Sequence, residues 1–231
     1  RDVWTVATGS TYARIGERDF TIAPADREAY ELLFRDLAAE RVAPADIVHC
    51  FSVTPQGTAL SAERVRDLSF YSLLYLAQAV IAEDLSHPIR LSVVSSDMQQ
   101  VAGEAFLAPE KAQLLGPCKV IGQEVPNVHS RSIDIVQPPS GSWQERQLVQ
   151  QLIGEIGSPV SDEVIALRGA DRWVQTFEAI ASDASRAGTQ SPWVVPLARP
   201  RSGVALRPSS APRAAPNAPA RLPSRSRRSE A

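Results

Sequence analysis

The chain has 231 residues, 44% of them hydrophobic, enough for one substantial core, and no apolar run approaches the roughly 20 residues that a membrane-spanning helix needs. The N-terminal RDVWTVATGS has neither the charged region nor the apolar region of a secretory signal, so the expectation is a soluble, cytoplasmic chain. The net charge of -2 hides an asymmetry: Arg1 to Ser185 carry 15 basic and 25 acidic residues, whereas the residues from Arg186 onward carry nine arginines, one acid and eight of the 18 prolines.

Taken in chain order, VWTVAT (Val3 to Thr8) is a short β-rich run and RDFTIAP a second extended piece. A helix follows, with Asp26 as its cap and Tyr30, Leu33, Phe34 and Leu37 recurring at three and four residues. IVHCFSV, from Ile47 to Val53, is a nearly continuous apolar run of the kind that parallel strands covered on both faces display. Ser61 or Glu63 opens a long helix whose apolar face, from Val65 to Ile81, runs as far as Asp84. His87-Pro88 stops that segment, and Ile89 to Ser96 is a buried strand.

The run PEKAQLLGPCKVIG reads as a further helix, and Ser130 to Val136 as a further strand. A helix from about Trp143 to Ile156, a strand at Glu163 to Leu167 and another at Arg172 to Phe177 complete the pattern. Strands separated by helices of ten or more residues predict an α/β, Rossmann-like fold with a mostly parallel sheet and helices on both faces. Ligands of such sheets sit beyond the carboxyl ends of the strands, which directs attention to the loops after Val53, Ser96 and Val136. The segment from about residue 186 has no apolar periodicity to offset the entropy cost of folding and reads as a disordered Arg/Pro-rich tail. It has no interleaved aromatics beyond Trp193 to suggest nucleic-acid binding.

Chemistry-bearing motifs are scarce. Gly9, in ATGSTYARIG, is not accompanied by the spaced glycines that bring a backbone up to a pyrophosphate. The three histidines, His49, His87 and His129, are far apart, and His49 falls within a strand, where a core or edge role outweighs catalysis. Cys50 and Cys118 each sit in an apolar segment and read as buried, reduced thiols. No Gly-x-Ser-x-Gly, His-Glu-x-x-His or Cys-x-x-Cys pattern occurs.

The stretch KAQLLGPCKVIGQE resembles the lysine-to-acid part of the catalytic helix of short-chain dehydrogenases, with Lys111 at the lysine position and Val93 to Ser96 at the serine-bearing strand. The tyrosine of that motif belongs four residues before the lysine, where this chain has Leu107. A leucine has no proton to donate to a carbonyl, and the lysine has no phenol whose pKa it could lower. FYSLLYLAQAVI, SVVSSDMQQVAGE, PEKAQLLGPCKVIGQEVPN, RSIDI and ALRGADRWVQTFE together resemble the structural subdomain of the ketoreductase domain of modular type I polyketide synthases, over most of Asp26 to Glu178.

That resemblance implies a truncated, cofactor-free Rossmann-like subdomain at 1–185, lacking a first strand and helix, followed by the tail at 186–231. It implies a partner, the catalytic ketoreductase subdomain, which binds NADPH and reduces β-ketoacyl groups carried on acyl carrier protein. It assigns no catalytic, cofactor-binding or metal-binding residue to this chain, and places the other synthase domains among its neighbours. Two alternatives stand beside it: a pseudo-ketoreductase scaffold for a neighbouring synthase domain, and an independent short-chain oxidoreductase.

Overall fold

The computed structural model describes residues 2–83, 85, 87–177 and 204–208. Its centre is a six-stranded sheet built from β4 (Asp46–Ser52), β5 (Ile89–Ser96), β6 (Val128–Ile135), β7 (Val164–Arg168), β8 (Asp171–Phe177) and β9 (Val204–Pro208), adjacent in that order. β4 to β7 run parallel, and β8 and β9 continue the sheet antiparallel. β5 pairs along its whole length with β6, from Ile89 opposite Val128 to Ser96 opposite Ile135.

Because side chains alternate across a strand, each face of the sheet collects its own core. Leu91 and Val93 of β5 face α3 (Ser72–Ala82) and α4 (Leu115–Glu124), with Leu73, Leu76, Ile121 and residues of α1 (Arg27–Ala39) in one buried cluster. Val94, Ile133, Ile135, Ile165 and Leu167 face the other way and are covered by Leu148, Leu152 and Ile156 of α5 (Trp143–Gly157). Arg131, almost wholly buried, ties the end of α5 to the sheet through Ser92 Oγ, Glu155 and the carbonyls of Ile156 and Ser158. Helix starts follow the cap residues: the Asp26 carboxylate accepts from Glu28 N, and Ser142 Oγ from Glu145 N at 3.1 Å.

Four local expectations need correction. The first extended runs do not join the main sheet: β1 (Thr5–Thr8) pairs parallel with β3 (Asp19–Ile22), which β2 (Ala13–Arg14) flanks antiparallel. Phe20 of that small sheet packs on Leu33 and Leu37 of α1, so the segment has its own apolar cluster. The long helix is also broken, into α2 (Ala62–Arg66), a π-helical turn over Asp67–Tyr71 and α3. The turn leaves Leu68 O able to accept from Ser72 Oγ at 2.7 Å.

The run from Pro109 is a 3-10 turn to Leu114 and becomes α4 only at Leu115. Pro117 then falls in the first turn of α4, where a missing N–H costs nothing. Cys118 is buried as expected, but Cys50 is exposed, because β4 is the sheet edge and Cys50 alternates with the inward-facing His49. The tail expected from about residue 186 lies outside the described residues except at Val204–Pro208, which pair along β8. Among the described residues no helix is long and apolar enough to cross a membrane.

Candidate functional site

The carboxyl ends of β4 to β7 converge on a cluster of buried charges. Ser95 and Ser96 end β5, Asp97 follows in the left-handed region at φ 58°, and a strap from Asp97 to Ala108 folds across the strand ends. The strap is held from below by Asp134 of β6, whose carboxylate accepts from Met98 N at 3.0 Å, Gln99 N at 3.1 Å and Ser95 Oγ at 3.1 Å. At its turn, Glu104 accepts from the backbone N–H groups of Val101 and Ala102.

Arg168, at the end of β7, joins the two acids. Its guanidinium pairs with Asp134 at 2.6 Å and with Glu104, and also donates to the carbonyls of Asp134, Leu167 and Gln99. An arginine has five N–H donors, and here all five are spent. Burial raises the Glu104 carboxyl, but the Arg168 hydrogen bond and the strap amides outweigh it and hold the group down at about 2.

Lys111 lies beside this cluster with 3% of its surface exposed. Its ammonium donates to Thr54 Oγ1 at 2.8 Å, Ser96 O at 2.9 Å and Ser96 Oγ at 3.0 Å. Those three bonds use every donor an ammonium has. Ser96 Oγ in turn accepts from Thr54 N and donates to Thr54 O, so the lysine closes a link between the ends of β4 and β5. Burial pushes the Lys111 pKa down, against the pull of Asp97 and Asp134. It pushes the Asp97 acid up, with Lys111 and Arg168 opposing. Leu107, at the position of the motif's tyrosine, is 43% exposed.

Of the residues singled out from the sequence, the fold brings Lys111 onto Ser96 and leaves the histidines apart. His49 is buried in β4 against Ser72, Nε2 to Oγ 2.9 Å, and burial lowers its pKa to about 4. His87 meets Pro44 O, and His129 is exposed on β6. Sequence reasoning missed Thr54, Glu104, Asp134 and Arg168. The available signal was a charge inside an apolar strand, as Asp134 is in SIDI and Arg168 is at the end of VIALR.

A dinucleotide fits these residues poorly. Gly9 leads into the short strand β2 rather than into a helix, so the end of β1 offers no helix N-terminus to a pyrophosphate. Among the described residues no group of three or more His, Cys, Asp or Glu is placed to hold a metal ion. The strand-end cluster can bridge, clamp and fix the strap, and it presents no free donor of Lys111 or Arg168 to a substrate.

A family model described as beta-ketoacyl synthase-like, N-terminal, matches residues 1–155. Among solved structures the chain is similar to a multidomain structure with adenylation, ketoreductase and pseudo Asub parts from a keto acid-selecting NRPS module (22% identity, TM-score 0.67, covering 73% of this chain and 14% of that one). It is similar also to an N-terminal ketoreductase from the macrolactin assembly line (17% identity, TM-score 0.60, 75% and 35%). A short-chain dehydrogenase from Mycobacterium avium shares the fold at 15% identity and TM-score 0.54, over 77% of this chain and 70% of that one. These likenesses show a Rossmann-like fold of the ketoreductase and short-chain dehydrogenase type. The chain spans only about a seventh and a third of the first two structures. No curated protein matches.

Proposed function

The chain belongs to the beta-ketoacyl synthase-like, N-terminal family, and on that premise we propose that it is the non-catalytic structural half of a ketoreductase in polyketide biosynthesis. The observation that carries this reading is the saturated strand-end cluster: Lys111 spends all three donors on Thr54 and Ser96, and the neighbouring tyrosine position holds Leu107. A carbonyl placed beside Lys111 would find neither a proton donor nor a free cation to polarise it. Under this reading residues 1–185 form the subdomain and 186–231 a tail outside it.

The chemistry then belongs to a catalytic half, which binds NADPH and delivers hydride to the β-carbonyl of an acyl chain carried on acyl carrier protein. This chain contributes a rigid surface that stabilises that half. Support for the arrangement comes from the similar structures, of which this chain covers 14% and 35%, the first holding a ketoreductase beside other parts of a module.

Purified chain incubated with NADPH and a β-ketoacyl thioester is expected to show no turnover and no change in NADPH fluorescence. Mixed with a separately expressed catalytic half from a related synthase, it is expected to co-elute on gel filtration and to raise the melting midpoint of that half. Turnover by the chain alone, lost in Lys111→Ala, would overturn the reading, as would failure to co-elute at micromolar concentrations.

A further inference from the structure

Beside α4 the sheet face is not fully covered. α4 lies over β6, but β7 and β8 extend past it, leaving a cleft of about 370 Å³ between α4 and the sheet, within the usual range of small-molecule sites. Leu115, Val128 and Val164 supply apolar wall and floor. α4 approaches β6 closely at the cleft: a Cβ on Gly122 would lie 2.6 Å from Ser130 Oγ.

In the floor is Ser132, 1% exposed, whose hydroxyl has no hydrogen-bond partner. Its neighbour Ser130 does not share the defect, since its hydroxyl donates to Cys118 O at 2.6 Å. Gln175 of β8 lines the same cleft. A buried donor left unmet costs about 1–3 kcal/mol, and in the floor of a cleft with room for a small molecule it points to an acceptor supplied from outside. At the rim Lys119 and Glu163 offset each other, so the cleft favours a neutral occupant. Cys118 offers no nucleophile, because burial raises its thiol to about 12.

We propose that this cleft binds a small neutral molecule bearing a carbonyl acceptor on a short aliphatic chain, an amide in chemical class, with the carbonyl oxygen accepting from Ser132 Oγ. The site is separate from the strand-end cluster and independent of any catalytic half.

The test is a titration of the full chain, labelled with nitrogen-15, with N-butylacetamide, read by amide chemical shifts. Saturable shifts are expected at Gly122, Gln123, Ser132 and Gln175, and none with butylammonium, which lacks the acceptor. Ser132→Ala is expected to weaken apparent affinity roughly five- to ten-fold. Gln123→Trp, at an exposed position of the rim, is expected to abolish the shifts without perturbing the fold. Shifts that do not saturate, an equal response to butylammonium, or unchanged affinity in Ser132→Ala would overturn the proposal. So would shifts at these amides on adding a catalytic half alongside no response to the amide, an outcome that assigns the cleft to a protein partner.

Discussion

The strand-end cluster and the α4 cleft lie on the same sheet and differ in how their charged and hydroxyl groups are met. At the strand ends two cations and three acids are buried together, and every N–H of Lys111 and Arg168 has an acceptor within the chain. In the cleft, Ser132 Oγ has none. Where an open parallel sheet ordinarily receives a ligand, this molecule has closed on itself. Where such a sheet ordinarily needs nothing, it leaves a donor unmet. Asp97 Oδ1 and Gln99 Nε2 of the strap also lack partners, so what separates the two regions is that the strand-end cations are fully met, whereas the cleft has open space above an unmet hydroxyl.

That contrast breaks most visibly at Arg168. Arg168→Met removes the partner of Asp134 and Glu104 and leaves both carboxylates buried and uncompensated, so we expect a loss of about 3–5 kcal/mol in urea unfolding. A loss below about 1 kcal/mol would show that the strand-end cluster does not hold the strap.

A second test extends the comparison to the core at His49, whose Nδ1 is also partnerless. Burial depresses its pKa from 6.5 to about 4, so the folded chain binds fewer protons than the unfolded chain between those values. Its contribution is therefore fully present above about pH 6.5 and is lost as pH falls toward 4, by on the order of 3 kcal/mol. His49→Gln is expected to flatten that part of the stability profile, and an unchanged slope would show that other groups set it.

The serine pair sharpens the contrast at smaller scale. Ser96→Ala removes one of the three acceptors of Lys111 Nζ together with the acceptor of Thr54 N and is expected to cost about 1–3 kcal/mol. Ser132→Ala removes a hydroxyl with no partner, so thermal unfolding is expected to move by less than about 0.5 kcal/mol, in the stabilising direction. Equal losses at the two positions would erase the distinction between the regions.

Much of the fold is legible in the residue pattern alone. The strand Ile89–Ser96 has the bounds that its apolar run suggests, Asp26 caps α1, and the helix and strand order from β4 to β8 follows the alternating periodicities. The candidate site is half legible. Lys111 and Ser96 stand out through their resemblance to a known motif, whereas Asp134 and Arg168 do not, because 34 residues separate them and no local period connects them. The π-helical turn is hidden for a related reason: its Ser72 to Leu68 bond is compatible with an ordinary helical pattern.

The sequence by itself determined which segments become strands and helices, because period and capping depend on residues a few positions apart. It also determined that Leu107 cannot donate a proton, since that is a property of the side chain alone. Only the tertiary structure decided that the first strands form a sheet of their own, that Cys50 lies on an exposed edge, and that Lys111 and Arg168 have no donor to spare. Those outcomes depend on which distant groups meet in the core, where burial makes each unmet donor or charge costly and so selects one arrangement among the many that the local patterns permit.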